Sequence, residues 1–170
     1  MAVETLRPNA FSYQGVGLEE PEAEAHHTLV DDVTPDEFST VVISDDAEQF
    51  DLYGLPNHSE GSGTINKVTV YIRCNDDEVI THGDCKTVIK THSTNYFGSA
   101  EVPGGQWATF STEYALNPNT SAAWTWAEID ALEAGIWLLE ADNYCTQVYV
   151  EVDYTPPAGI QIFRRRLEGN

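Results

Sequence analysis

The chain has 170 residues, enough for one domain with a real core and too few for two comfortable ones. Its 28 acidic residues against 8 Lys and Arg give a formal net charge of −20, which argues against nucleic acid or an anionic membrane as a partner of the body, since both need a basic surface. No apolar run approaches the roughly 18 residues of a membrane span, and the opening MAVETLRPNAFS lacks the basic and apolar regions of a signal peptide.

In chain order, residues 3–6 fit a short edge strand. Residues 12–26, with LEEPEAEA, read as an acid-rich surface loop. Short β-like runs follow at 28–30, 40–43 and 49–55, with Phe50 and Leu52 pointing one way in the last. Half of the 28 acidic residues fall in the first sixty positions, where Arg7 is the single Lys or Arg. The acidity suits a high-salt habitat or plain solubility equally. After a GSGT turn at 61–64 comes the clearest strand: Val68, Val70, Ile72 and Cys74 alternate with Lys67, Thr69, Tyr71 and Arg73, the two-residue period of a half-buried strand. A polar connection at 75–83 leads to a strand at 86–91. A turn at 101–105 precedes a strand at 107–114, in which Ala108, Phe110, Thr112 and Tyr114 share a side.

Thr125 and Glu128 have the spacing of a capping box, and Trp124 with Ile129 that of a hydrophobic staple. Ile129, Leu132 and Ile136 recur at helical spacing, and Gly135 is placed to close the turn. The expectation is one short α-helix over about 125–134. Thr146, Val148, Val150, Val152 and Tyr154 then alternate as the last strand, ended by Pro156 and Pro157. Together these signals predict an all-β chain of about seven to nine short strands, an antiparallel β-sandwich of jelly-roll type. Residues 1–157 form the domain and residues 158–170 a C-terminal arm.

Catalytic motifs are missing: GxSxG, HExxH, a P-loop and GxGxxG do not occur, so no enzyme is expected. Each of the five histidines reads as a surface residue. Acid pairs such as Asp31–Asp32 and Asp76–Asp77 would suit calcium, but no loop has the DxDxDG spacing. Calcium is therefore allowed without being indicated, and no cofactor is expected. Cys74, Cys85 and Cys145 lack zinc spacing. A Cys74–Cys85 disulfide across a hairpin and three packed free thiols both fit the alternation, with Cys145 on the polar side of its strand. Tyr71, Trp126 and Tyr149 are candidates for stacking a sugar. In the arm, Ile160, Ile162, Phe163 and Leu167 surround Arg164, Arg165 and Arg166. An apolar and basic arm on an acidic body suits docking on a neighbouring subunit, or folding back on its own domain.

The phrases VETLRPNA, HTLVDDVTPDEFSTVV, DLYGLPNHSEGSGTINKVTVYIRC, NPNTSAAWTWAEIDALEAGIWL and CTQVYVEVDYTPP resemble a family of β-sandwich proteins encoded by tailed phages and archaeal viruses. The resemblance covers most of residues 2–157. It implies a non-enzymatic head decoration, fibre or tail component on the virion surface, self-associating or docking on other virion proteins. A carbohydrate- or receptor-binding module and a subunit of an extracellular filament are the alternative expectations.

Overall fold

The computed structural model describes residues 1–59, 62–76 and 84–157. Two antiparallel sheets pack face to face. The first contains β1 (Ala2–Leu6), β3 (Leu18–Glu20), β4 (Val41–Ile43), β6 (Thr64–Asp76), β9 (Ala108–Tyr114) and β11 (Asn143–Thr155). Its order is β3-β4-β11-β6-β9, with β1 also on β11. The second sheet has the order β2-β5-β10-β7-β8, built from β2 (Ala10–Gln14), β5 (Gln49–Gly54), β7 (Cys85–Thr91), β8 (Thr94–Phe97) and β10 (Glu133–Leu138). This is the expected β-sandwich. Val68, Val70 and Ile72 of β6 face Val148, Val150 and Val152 of β11 in register, and all six are fully buried. Period-two alternation puts their apolar side chains on one face, and the facing sheet removes that face from water.

Several local readings change. Residues 12–26 are not one loop: they carry the end of β2, all of β3 and the start of a 3-10 turn, His26–Leu29. That turn replaces the strand expected at 28–30. The α-helix, α1, is only Trp126–Asp130. Its capping box forms: the Thr125 hydroxyl accepts from the Glu128 amide at 3.3 Å, and the Glu128 carboxylate accepts from the Thr125 amide at 2.8 Å. Trp124 and Ile129 are both buried in the core. The helix stops early because residues 133–138 bond to β5 on one side and β7 on the other. Gly135 is thus a residue of the central strand of its sheet, not a helix terminator.

The cysteines also fall differently. β6 and β7 lie in different sheets, so Cys74 and Cys85 do not face across a hairpin. A register shift between Cys145 and Gln147 turns Cys145 into the core beside its cross-strand partner Cys74, because a bulge lets two consecutive residues point the same way. All three cysteines are buried free thiols, and burial with the neighbouring sulfurs pushes the Cys74 thiol well above its usual pKa. Among the described residues no helix is long and apolar enough to cross a membrane. The arm residues Ile160, Ile162, Phe163, Arg164, Arg165, Arg166 and Leu167 lie outside the described residues, as do Asp77 and His82.

Candidate functional site

The outward face of the five-stranded sheet is organised by register. Tyr13, Leu52, Gly135, Val88 and Phe97 are successive cross-strand partners on β2, β5, β10, β7 and β8. They form one row across the whole sheet, with glycine at its centre. Beside it runs the row Phe50, Trp137 and Lys86, and on the other side the row Gly54, Glu133, Lys90 and Asn95. In the central row large side chains stand at the edges and a glycine lies in the middle, which leaves room above it for rings from the neighbouring rows.

Aromatic rings line this face. Tyr13 stacks on Phe50 with centroids 4.7 Å apart, Phe50 meets Phe97 edge-on at 6.3 Å, and Phe97 meets Trp137 at 4.6 Å. Phe50 and Phe97 come from strands on opposite sides of β10 and meet because no side chain rises from Gly135. Leu52 and Val88 are buried although they lie outside the core between the sheets. The rings nevertheless remain partly open, with Tyr13 48% and Phe97 42% exposed. At one end Tyr13, Phe50 and Leu52 join Lys90, Ser93, Thr94 and Asn95 around a pocket of about 540 Å³. The hairpin carrying these polar groups turns through His92 and Ser93, both at positive φ (50° and 61°), a conformation usually given to Asn or Gly.

The polar groups are few and placed. Lys90 Nζ lies 3.0 Å from both Glu133 carboxylate oxygens, and Glu133 also accepts from the Ser12 hydroxyl. Lys86 Nζ sits 4.6 Å from the Trp137 ring centroid. Among the described residues no group of three His, Cys, Asp or Glu is placed to hold a metal ion.

Of the three stacking candidates from the sequence, Tyr71 and Tyr149 are cross-strand partners turned outward on the other sheet. Their rings lie 4.6 Å apart and within 7° of parallel, with the Arg7 guanidinium 4.9 Å from the Tyr149 centroid. Burial and a hydrogen bond to Glu151 push the Tyr71 phenol up to about 12. Each ring gives one face to the other, as Tyr13 and Phe50 do. Trp126 sits apart, against His58 and Tyr154, and donates its indole N–H to the Gly63 carbonyl at 3.0 Å. The structure does not bring the three together. A further ring group has Phe38, 57% exposed, edge-on to both Trp107 and Tyr144 beside the Arg73–Glu37 ion pair on the other sheet.

Tyr13 and Phe97 carry no signal of this in the sequence, because Tyr13 falls in an expected loop and Phe97 beyond an expected strand, while Trp137, a stacking candidate by residue type, is set aside there because it sits beside a core pattern. The one usable signal was the shared direction of Phe50 and Leu52.

Under the Tyr13 edge lies a buried polar cluster. Asp51, fully buried, accepts from the Gly15 and Val16 amides at 2.8 and 2.9 Å, from the Tyr53 hydroxyl at 3.0 Å and from His26 Nδ1 at 2.5 Å. His26 Nε2 faces the Gln14 amide at 2.9 Å and Glu19 at 3.4 Å. His26 is therefore a buried residue, not a surface one, because carboxylates from two other strands supply the partners its ring needs. Burial pulls its pKa down, but the hydrogen bonds and charges of Asp51 and Glu19 outweigh that, leaving it above 6.5. A raised folded-state pKa stabilises the fold fully below 6.5, and that stabilisation is lost as pH rises through the folded value. The melting temperature should fall across that window, and His26→Gln should flatten the profile. A slope unchanged by His26→Gln in thermal melts at stepped pH would refute this.

No protein-family model matches the sequence, and no curated protein matches it. Solved structures match at the level of fold. The C-terminal CBM6 of LamC, a marine laminarinase from Zobellia galactanivorans, is 12% identical, aligns over 89% of this chain and 100% of its own, and gives a TM-score of 0.52. A carbohydrate-binding module from Cellvibrio mixtus lichenase 5A, solved with cellotriose, is 12% identical over 91% and 99% of the two chains, with a TM-score of 0.48. The CBM35 from Cellvibrio japonicus Abf62 is 10% identical over 91% and 95%, with a TM-score of 0.45. At 12% identity the likeness to the CBM6 of LamC establishes the two-sheet β-sandwich fold and nothing finer.

Proposed function

We propose that this protein is a non-catalytic carbohydrate-binding module whose ligand lies in the aromatic groove of the five-stranded sheet. The observation that carries this reading is the run Tyr13–Phe50–Phe97–Trp137, spread over an outward sheet face around Gly135. A pyranose ring is amphipathic: its C–H faces stack on aromatic rings, and its hydroxyls at the rim need polar partners. The groove supplies both, with rings along its length and Ser93, Thr94, Asn95 and Lys90 at one end. Within the three rows the one carboxylate is Glu133, held by Lys90 and Ser12, an arrangement that suits binding rather than hydrolysis. The sandwich likeness to the CBM6 of LamC fits the same reading. A virion surface remains the setting that the sequence resemblance suggests, and there such a module would serve attachment to a host glycan.

The test is binding of soluble and immobilised polysaccharides by affinity electrophoresis, comparing the wild type with Phe97→Ala and Tyr13→Ala. An aromatic contact contributes about 0.5–1.5 kcal/mol beyond its buried area, so each substitution should weaken retention by about tenfold with the fold intact by circular dichroism. Retention that survives both substitutions, or no retention of any glycan by the wild type, sinks the proposal.

A further inference from the structure

The charge of the groove runs against the charge of the protein. Acidic residues outnumber Lys and Arg by 28 to 8 and the chain has three lysines, yet two of the three, Lys86 and Lys90, stand on this one face, four residues apart on β7. Elsewhere on the strands each basic side chain is matched: Lys67 with Glu113 at 2.5 Å and Arg73 with Glu37 at 2.5 Å. Lys90 is matched by Glu133. Lys86 is the one lysine with no carboxylate within ion-pair distance among the described residues. It lies instead over the Trp137 ring, at the end of the aromatic run. Arg7, the other Lys or Arg without a carboxylate at ion-pair distance among the described residues, is committed to the Asp32 carbonyl and the Tyr149 ring.

Resting on the glycan reading above, we infer that the sugar taken by this groove carries an acidic substituent, a carboxylate or a sulfate ester, and that Lys86 reads it. A ring stacked on Phe97 and Trp137 would bring a substituent beside it to the Lys86 amine. An ammonium is a compact point charge with three donors, so it serves either anion. The indole face keeps the amine in place without neutralising it. The −20 of the whole chain does not forbid this. At physiological ionic strength charges beyond about 8 Å are largely screened; in the three rows the charged side chains are Lys86, Lys90 and Glu133, of which the last two are matched to each other, and Asp84 lies two residues before Lys86 without an ion pair to it.

The experiment uses the full chain and three immobilised polysaccharides: polygalacturonate for the carboxylate, a sulfated galactan for the sulfate, and a neutral β-glucan. The wild type should retain at least one acidic polymer more tightly than the neutral one. Lys86→Gln should lose about tenfold in affinity for that polymer, the scale of one hydrogen bond to a charged group. Lys86→Arg should retain most of the affinity, and Lys86→Gln should weaken binding to the acidic polymer several-fold more than binding to the neutral one. Which acidic polymer is held decides between carboxylate and sulfate. The inference is overturned if the neutral glucan binds as tightly as both acidic polymers, or if Lys86→Gln leaves acidic binding unchanged. Phe97→Ala separates the two failures. If it abolishes binding while Lys86→Gln does not, the acidic substituent alone is wrong; if it too changes nothing, the groove reading falls with it.

Discussion

Asp51→Ala is expected to destabilise the protein by about 3–5 kcal/mol, the scale for removing one partner from a buried charged network. The carboxylate is fully buried, and its two oxygens serve four donors: the amides of Gly15 and Val16 on one, His26 and the Tyr53 hydroxyl on the other. Alanine leaves all four without an acceptor, three of them in buried contacts, and each buried unsatisfied group carries its own desolvation penalty. Asp51→Asn should recover little. One side of its amide would present N–H groups to His26 and Tyr53, which are already donors. Urea unfolding followed by tryptophan fluorescence measures the loss. A midpoint shift equivalent to under about 1 kcal/mol would contradict the role given to this cluster. Because Asp51 also fixes the backbone at residues 15–16, just past Tyr13, Asp51→Asn should weaken glycan retention together with stability.

Gly135→Ala is expected to cost about 3 kcal/mol, at the upper end of the range for overpacking. A Cβ there would stand 1.8 Å from the Asp51 carbonyl oxygen, 2.8 Å from its carbonyl carbon and 3.1 Å from the Leu52 Cα. These are backbone atoms of the neighbouring strand, so no rotamer change relieves the clash. Relief requires β5 and β10 to separate, which breaks their ladder. The same methyl would intrude where Phe50 and Phe97 meet across β10, so the surviving folded fraction should bind glycan poorly. A variant of wild-type stability by urea unfolding would show that the strands are not packed as described. Since Gly135 presses on the residue that carries the Asp51 carboxylate, the two substitutions should combine non-additively.

Much of the sandwich was legible in the sequence, because strand alternation is local. Lys67 to Cys74, Ala108 to Tyr114 and Thr146 to Tyr154 announce which side chains face inward without reference to anything distant. The capping box at Thr125 and Glu128 is equally local, and it forms as written. Residues 133–138 were not decidable that way. Ile129, Leu132 and Ile136 fit a helical period, and a short apolar run such as AGIWLL suits a buried helix turn or a buried strand alike. Hydrogen-bond partners on both sides, β5 and β7, made it a strand. Cys145 was misplaced by a bulge that the alternation does not reveal, and His26 by a carboxylate 25 residues further along the chain.

The groove belongs wholly to this second kind of information. Its rings come from β2, β5, β8 and β10, and they meet because four pairings set Tyr13, Leu52, Gly135, Val88 and Phe97 in one row. A slip of one residue in any pairing would turn that strand's side chains to the other face. By itself the sequence determined that the chain alternates, that it carries a net charge of −20, and where the helix after Thr125 begins. Tertiary structure alone decided which aromatic rings share a surface and which lysine, among the described residues, has no carboxylate at ion-pair distance. Alternation and capping act between residues a few positions apart, whereas register is set by the packing of two whole sheets.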